Sequence, residues 1–252
     1  MKIAIVGYGT MGKALAAYAQ EQGHTIVAII DRHTEKSGVT HPTVSKEALA
    51  QSEVVIEFAG SEGLEERVSL YGELKIPAVV ATTGWYDRLD VVPQIATSTG
   101  ASILWSGNFA IGVQLFYRIV ANAAKLFNPF DEYDVLINEW FHAKKADSPS
   151  GTAVTLGKIL IDNLERKKSS ETARLDRRRD DDEIHVTSSR GGYTAGEHTV
   201  IFDSPSDTIT LKHASRSRQG YLAGSLQAAA WIVKDRPGFH SLEEMLDEVL
   251  KS

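Results

Sequence analysis

The feature that most constrains the fold of this chain is Gly7-Tyr8-Gly9-Thr10-Met11-Gly12, which closes an apolar run over residues 2–6 and opens a helical pattern over 11–22. A second β-branched run follows at 25–30, so the opening segment reads as a βαβ unit. In such a unit the first glycine permits a tight turn, the second lets the backbone approach a pyrophosphate, and the third lets the helix pack close to the strand. Asp31 ends the second strand about 20 residues on, where an acid that holds a ribose hydroxyl is expected. A glycine turn that binds nothing is the competing reading, and Asp31 argues against it. Asp31 suits the free 2′-hydroxyl of NADH, whereas Arg32 and His33 suit the 2′-phosphate of NADPH, so NADH, NADPH or both are expected as cofactors.

Compact apolar runs at 54–58, 78–82 and 102–105 extend the pattern to a doubly wound parallel sheet. After Asn108 the pattern changes. Helices are expected over 112–126 and 152–167 and a strand over 133–138, and alternating runs at 183–189, 198–203 and 208–213 read as an antiparallel meander. The highly charged segment 167–183, with Arg177, Arg178 and Arg179 followed by Asp180, Asp181 and Asp182, reads as a solvated loop. Helices over 221–234 and 242–250 read as a return to the first domain. The expected architecture is therefore α/β. Residues 1–108 with 220–252 form a Rossmann domain, and 109–219 form an α+β domain with a mixed or antiparallel sheet.

The 252 residues, 42% hydrophobic and 24% charged, supply enough apolar material for two such cores. The absence of cysteine excludes disulfides, thiolate nucleophiles and iron–sulfur clusters. A net charge of −6 argues against general affinity for nucleic acid and requires an anionic ligand to be drawn by local cations. No signal-like or membrane-length apolar segment is read, which suits a cytoplasmic protein.

Local cations do occur, in Glu139-Trp140-Phe141-His142-Ala143-Lys144-Lys145-Ala146-Asp147-Ser148-Pro149-Ser150-Gly151-Thr152-Ala153. His142, Lys144 and Lys145 precede a helix start at which Ser150 can cap and Gly151 and Thr152 present free N–H groups to an anion. Hydride transfer from a nicotinamide leaves negative charge on the acceptor that a nearby acid must quench, and this cluster offers one. An ordinary exposed lysine is the favoured reading of Lys144.

This stretch resembles the E-x-H-H-x-x-K-x-D-A-P-S-G-T-A signature of the 4-hydroxy-tetrahydrodipicolinate reductase family, with Phe141 in place of its first histidine. Ala81-Thr82-Thr83-Gly84 is similar to the family's G-T-T-G and Ser106-Gly107-Asn108-Phe109 to its A-x-N-F. Arg190 to His198 and His213 to Arg218 resemble two later motifs. The resemblance implies NADH- or NADPH-dependent reduction of a small cyclic dicarboxylate in lysine and diaminopimelate biosynthesis. It implies that Ala81, Thr82, Thr83, Ser106, Gly107, Asn108 and Phe109 line the nicotinamide half of the cofactor site. It places Lys145 on the proton-donating lysine, His142 on a substrate-binding histidine, and Ser150, Gly151 and Thr152 at the substrate carboxylate, and it implies a homotetramer. No metal is expected. Two other readings remain: a diaminopimelate or other amino-acid dehydrogenase of related architecture, and a non-catalytic dinucleotide-sensing module.

Overall fold

The computed structural model describes residues 1–251. Residue contacts divide the chain into two units, Met1–Ala110 with the segment from Tyr221 onward, and Ile111–Gly220.

The first unit opens with β1 (Lys2–Val6), α1 (Thr10–Glu21) and β2 (Thr25–Ile30), followed by α2 (Lys46–Leu49), β3 (Val54–Glu57), α3 (Leu64–Leu74), β4 (Ala78–Val80), α4 (Val92–Thr99) and β5 (Ser102–Trp105). All pair in parallel. Ile3, Ala4, Ile5 and Val54, Val55, Ile56 are fully buried, because helices cover both faces of a parallel sheet and leave no polar face to alternate with. Gly7 at φ +89 makes the turn out of β1, and its amide donates to the Ile30 carbonyl. A Cβ on Gly12 would overlap the Gly7 carbonyl oxygen, so α1 starts against the loop as closely as a helix can.

The second unit contains α5 (Ile111–Phe127), β6 (Asp134–Phe141), α6 (Gly151–Asn163), β7 (Ser169–Glu171), β8 (Glu183–Arg190), β9 (Glu197–Asp203) and β10 (Thr208–Ala214). Helix α5 buries Val113, Phe116, Val120 and Ala124, the three- and four-residue spacing of one helical face. Together with Ala153, Leu156 and Leu160 of α6 it belongs to a core that takes Val135, Ile137, Ile184, Val186, Val200 and Phe202 from the sheet.

The strand order β10-β9-β6-β8-β7 corrects the expected meander. Only β9 and β10 form an antiparallel neighbouring pair in sequence; β8 pairs in parallel with β6 and β7 and is not paired with β9. β6 occupies the gap, antiparallel to β9. The residues between Arg190 and Glu197 readily cross the roughly 10 Å between next-but-one strands. Alternation predicts strands but not their neighbours.

Two further expectations change. Helix α6 ends at Asn163, not at 167, because Leu164 turns extended into the core and Lys167 turns inward. The buried Lys167 ammonium donates to Asp134 Oδ1 at 2.7 Å, the Asp181 carbonyl at 2.6 Å and the Glu183 carbonyl at 3.2 Å, which offsets its desolvation. The charged 167–183 segment is consequently tethered rather than loosely solvated: Arg179 also pairs with Asp134, Arg177 clasps Glu183, and β7 extends the sheet.

The chain then returns through α7 (Gln219–Ile232), β11 (Gly238–Ser241) and α8 (Leu242–Lys251). Strand β11, unforeseen in the sequence because it is short and not β-branched, pairs in parallel with β5 and completes a sheet of order β11-β5-β4-β3-β1-β2. Phe239 stacks on Trp105 at 6.0 Å and meets the edge of the buried Trp85. Among the described residues no helix is long and apolar enough to cross a membrane. Gly12→Ala is expected to cost about 1–3 kcal/mol in denaturant unfolding, because the loop and helix must separate to admit the methyl.

Candidate active site

In the first unit, a cleft of roughly 710 Å³ opens where β1, β2 and β3 end, lined among others by Gly7, Gly9, Asp31, Arg32, Lys36 and Ala59. The three glycines differ as the loop demands. A Cβ on Gly7 would strike the Ala59 backbone, one on Gly12 the Gly7 carbonyl, and one on Gly9 would meet nothing within 4 Å. The open space at Gly9 is what close approach by a pyrophosphate needs. Gly9 caps α1 without a side-chain bond, so the first-turn amides near Thr10 and Met11 have no competing intramolecular oxygen from the cap.

Asp31 ties this loop down. Its Oδ2 accepts from the Tyr8 amide at 2.6 Å and from Lys36 Nζ at 2.9 Å, and its Oδ1 accepts from the His33 amide at 2.8 Å. Burial alone would raise its pKa, but the Lys36 ammonium and the two amides outweigh burial and hold it down to about 2. Arg32 reaches outward, 4.0 Å from Glu62, with its side chain 80% exposed.

The loops after β4 and β5 are less uniform than the sequence suggests. Thr83 and Gly107 are exposed, Ala81 and Asn108 half-buried, and Thr82, Ser106 and Phe109 buried. Thr82 turns its hydroxyl inward to Glu57, and Ser106 bonds the Asn108 backbone. Glu57, which no sequence motif marked, is a fully buried carboxylate held by Arg67 Nη2 at 2.6 Å and the Tyr71 hydroxyl at 2.7 Å. Arg67 also bonds the Gly60 and Glu62 carbonyls, so this buried pair braces one wall of the cleft.

In the second unit, the cation-rich stretch folds around Glu139. This carboxylate, fully buried on β6, accepts from the Ser150 amide at 2.9 Å, the Ser150 hydroxyl, Ser188 Oγ at 2.9 Å and Arg190 Nη2 at 2.8 Å, and lies 3.3 Å from His198 Nε2. Burial pushes its pKa up, yet His198, Ser150 and Arg190 together bring it well below the usual carboxylate range. The Ser, His and Glu are no nucleophilic relay. Both the hydroxyl and the carboxylate meet the same imidazole nitrogen, whereas a relay needs one on each. Ser150 Oγ instead accepts from the Ala153 amide as the cap of α6.

That cap leaves Gly151 exposed and Thr152 half-buried at the positive helix end. Phe141 points the other way from Trp140, its ring edge-on to His198 at 5.4 Å, with Lys145 Nζ 4.6 Å and the Arg190 guanidinium 5.4 Å from its centroid. A Cβ on Gly196 would meet this ring, so glycine there makes room for the phenyl. Lys145 pairs with Asp147 at 2.7 Å, and this bond lowers the Asp147 pKa. His142 is half-buried and accepts from the Lys144 amide through Nδ1. Arg190, which the resemblance places at the border of the site, reaches Glu139 and the Asp147 carbonyl from β8, 51 and 43 positions away, and these partners have no signature in a linear pattern. Among the described residues no cluster of three or more His, Asp or Glu side chains fits a metal ion.

A six-stranded parallel sheet with a glycine loop shaped for pyrophosphate, joined in one chain to a unit bearing cations and an uncovered helix start, defines a Rossmann-type pyridine-nucleotide oxidoreductase. Residues 1–109 match the family described as dihydrodipicolinate reductase, N-terminus, and residues 112–246 its C-terminus. The chain belongs to this family, whose members are NAD(P)H-dependent reductases of lysine and diaminopimelate biosynthesis. It is 32% identical to the 4-hydroxy-tetrahydrodipicolinate reductase of Staphylococcus saprophyticus, covering 97% of this chain and 100% of that one. It is 29% identical to the enzyme of the same name from Christiangramia forsetii over the full length of both. Its fold is similar to that of the dipicolinate-bound dihydrodipicolinate reductase of a Paenisporosarcina species (TM-score 0.77, 22% identity, 97% and 98% of the chains). A DAP dehydrogenase from C. glutamicum shares the fold more distantly (TM-score 0.57, 14% identity, 97% and 93%).

Glu139 yields a pH test. Its depressed pKa means that its stabilisation is complete above the usual value of 4.5 and drains away as pH falls below it towards the folded-state value. Glu139→Gln is expected to lose on the order of 3 kcal/mol at pH 7, since the part-buried Arg190 and the buried His198 lose their charged partner. In urea melts the gap from the wild type should narrow steadily below about pH 4.5.

Proposed function

We propose that this chain reduces 4-hydroxy-tetrahydrodipicolinate to tetrahydrodipicolinate, with residues 1–108 and 220–252 binding the dinucleotide and 109–219 binding the substrate. The observation that carries the residue assignment is the convergence of Lys145 and Arg190 on the Phe141 ring, beside a helix start fixed by Glu139. When bound, the reduced nicotinamide supplies a hydride; the substrate also takes up one proton and loses water. Gly7 to Gly12 hold the pyrophosphate, Asp31 and Arg32 the adenosine ribose, and the 81–83 and 106–109 loops the nicotinamide half. The amides of Gly151 and Thr152, with Ser150 as their cap, hold one carboxylate of a small dicarboxylate, and His142 lies on the same strand-to-helix segment to steady it.

Lys145 holds the proton to be delivered. Its ammonium pairs with Asp147 at 2.7 Å and lies 4.6 Å from the centroid of the Phe141 ring, which covers one side of it. Phe141 supplies no proton of its own, so the donor role falls to Lys145 or a lysine-bound water. Coupled turnover with dihydrodipicolinate synthase, run with NADH and with NADPH, tests the reading; dehydrogenation of diaminopimelate instead, or cofactor binding without turnover, would select one of the other two readings. The net charge of −6 supports a protein without general affinity for nucleic acid or an anionic membrane surface, and we place it in the cytoplasm.

Lys145→Ala should lower kcat by on the order of 10² to 10⁴ while leaving the cofactor Kd unchanged. Phe141→His should introduce an ionisation near neutral pH into the kcat profile, measured under saturating substrate.

We further place a homotetramer interface on the second unit's open sheet face, where Trp140 is 45% exposed above a shallow groove with Asn138, Thr187 and Thr199. Multi-angle light scattering should give four times the 27.5 kDa chain mass; an active monomer would refute this assembly.

A further inference from the structure

The Glu57 carboxylate closes the end of β3, where groups from the segments after β3 and after β4 both reach it. Its Oε1 accepts from Arg67 Nε at 3.0 Å, Arg67 Nη2 at 2.6 Å and the Thr82 hydroxyl at 3.2 Å, and its Oε2 accepts from the Tyr71 hydroxyl at 2.7 Å. The partners on Oε1 lead to different parts of the cleft. Arg67 also donates to the Gly60 and Glu62 carbonyls, at 2.9 and 2.7 Å, and so fixes the cleft wall that these residues form. Thr82 belongs to the loop after β4, which is held twice more: Trp85 Nε1 donates to the Thr82 carbonyl at 2.8 Å, and the Ala81 amide donates to the Glu57 carbonyl at 2.9 Å.

The Thr82 bond is not what makes the buried charge tolerable. A carboxylate oxygen has about two acceptor sites, and the two Arg67 donors already occupy those of Oε1. The hydroxyl has no solvation role either, because a valine of the same shape would need no partner in this place. What the bond supplies is location. Thr82 is 2% exposed, so only its backbone can face a bound cofactor, and its hydroxyl decides where that backbone lies.

We propose that Glu57 and Thr82 are positioning residues for hydride transfer: their bond sets the 81–83 loop, and with it the nicotinamide ring, at a fixed distance from the wall that Arg67 holds through the same carboxylate oxygen. Both act through the loop and touch no reacting atom. The proposal rests on the reading of residues 81–83 as the nicotinamide half of the cofactor site.

The test compares, in the full-length protein, ADP-ribose, which lacks the nicotinamide, with NADH and NADPH, each titrated by calorimetry without substrate. Thr82→Val keeps the side-chain shape, leaves Arg67 and Tyr71 on the carboxylate and removes only the hydroxyl. The ADP-ribose Kd should stay within about twofold, while NADH and NADPH weaken alike, about 3- to 10-fold, the size of one lost hydrogen bond. In coupled turnover kcat should fall about 10- to 100-fold, as for a reacting ring displaced by about an ångström, with the KM for the dicarboxylate within about threefold. Thr82→Ser, which keeps the hydroxyl, should recover most of both losses. Because the two residues act as one, adding Thr82→Val to Glu57→Gln should lower kcat no further than Glu57→Gln alone. Unchanged NADH affinity and kcat in Thr82→Val, an equal loss in Thr82→Ser, or additive losses in the double variant would overturn the proposal. So would ADP-ribose weakened as much as NADH, since the bond would then brace the whole domain. If Glu57→Gln fails to fold, Thr82→Val against Thr82→Ser decides alone. A wild-type chain that binds none of the three ligands would overturn the proposal together with the dinucleotide reading. A chain that shows the binding pattern yet reduces no dicarboxylate would leave it standing and remove only the substrate assignment.

Discussion

One buried negative charge organises the second unit. Glu139 sits at the centre of the sheet, where an isolated carboxylate would be ruinously costly. It is tolerable because donors arrive from three directions: Ser188 and Arg190 from β8, His198 from β9, and Ser150 from the start of α6. The cost of burial thus becomes a set of geometric ties. Strands β6, β8 and β9 are fixed in register at this row, and α6 is fixed in rotation, since its cap bonds the carboxylate with both amide and hydroxyl. The orientation of the Gly151 and Thr152 amides follows from that tie, as does the place of Arg190, whose guanidinium also holds the Asp147 carbonyl.

Phe141 takes its meaning from the same network. Its ring rests on His198, which Glu139 positions, and against Gly196, whose missing side chain makes the space. Two cations stand over a face that attracts them through its quadrupole while repelling water. Where the family pattern carries a second imidazole, this chain thus places a phenyl ring faced by two cations.

What was legible in the sequence is what short-range pattern encodes. The βαβ opening, its glycine turn and Asp31 follow from periodicity and spacing, and the mixed α/β character follows from alternation. Long-range choices were not legible. Nothing in β8 or β9 announces that β6 will lie between them, and Gly238-Phe239-His240-Ser241 lacks the β-branched run that marks a strand, although it borders β5. Lys167 read as one more surface charge because only folding brings three acceptors to it. Of the residues singled out around the cofactor, Thr82 and Phe109 are buried in the first unit, so any part they play in binding passes through their backbone. Glu57, Glu139 and Arg190 were letters in apolar or motif contexts; their importance lies in partners 10 to 51 positions away.

The late arrival of β11 sets the order in which the molecule can be made. Strand β5 ends at Trp105, yet its outer neighbour begins only at Gly238, after the entire second unit has been synthesised. At roughly 5–20 residues per second, a ribosome needs about 7–27 s to supply it. Throughout that interval the Ser102–Trp105 edge, with its row of unsatisfied amides and carbonyls and the bulk of Trp105, is open to any other strand in the vicinity. Nascent chains of this protein are thus open to mispairing from about two-fifths of their length until they are nearly finished, when β11 covers that edge.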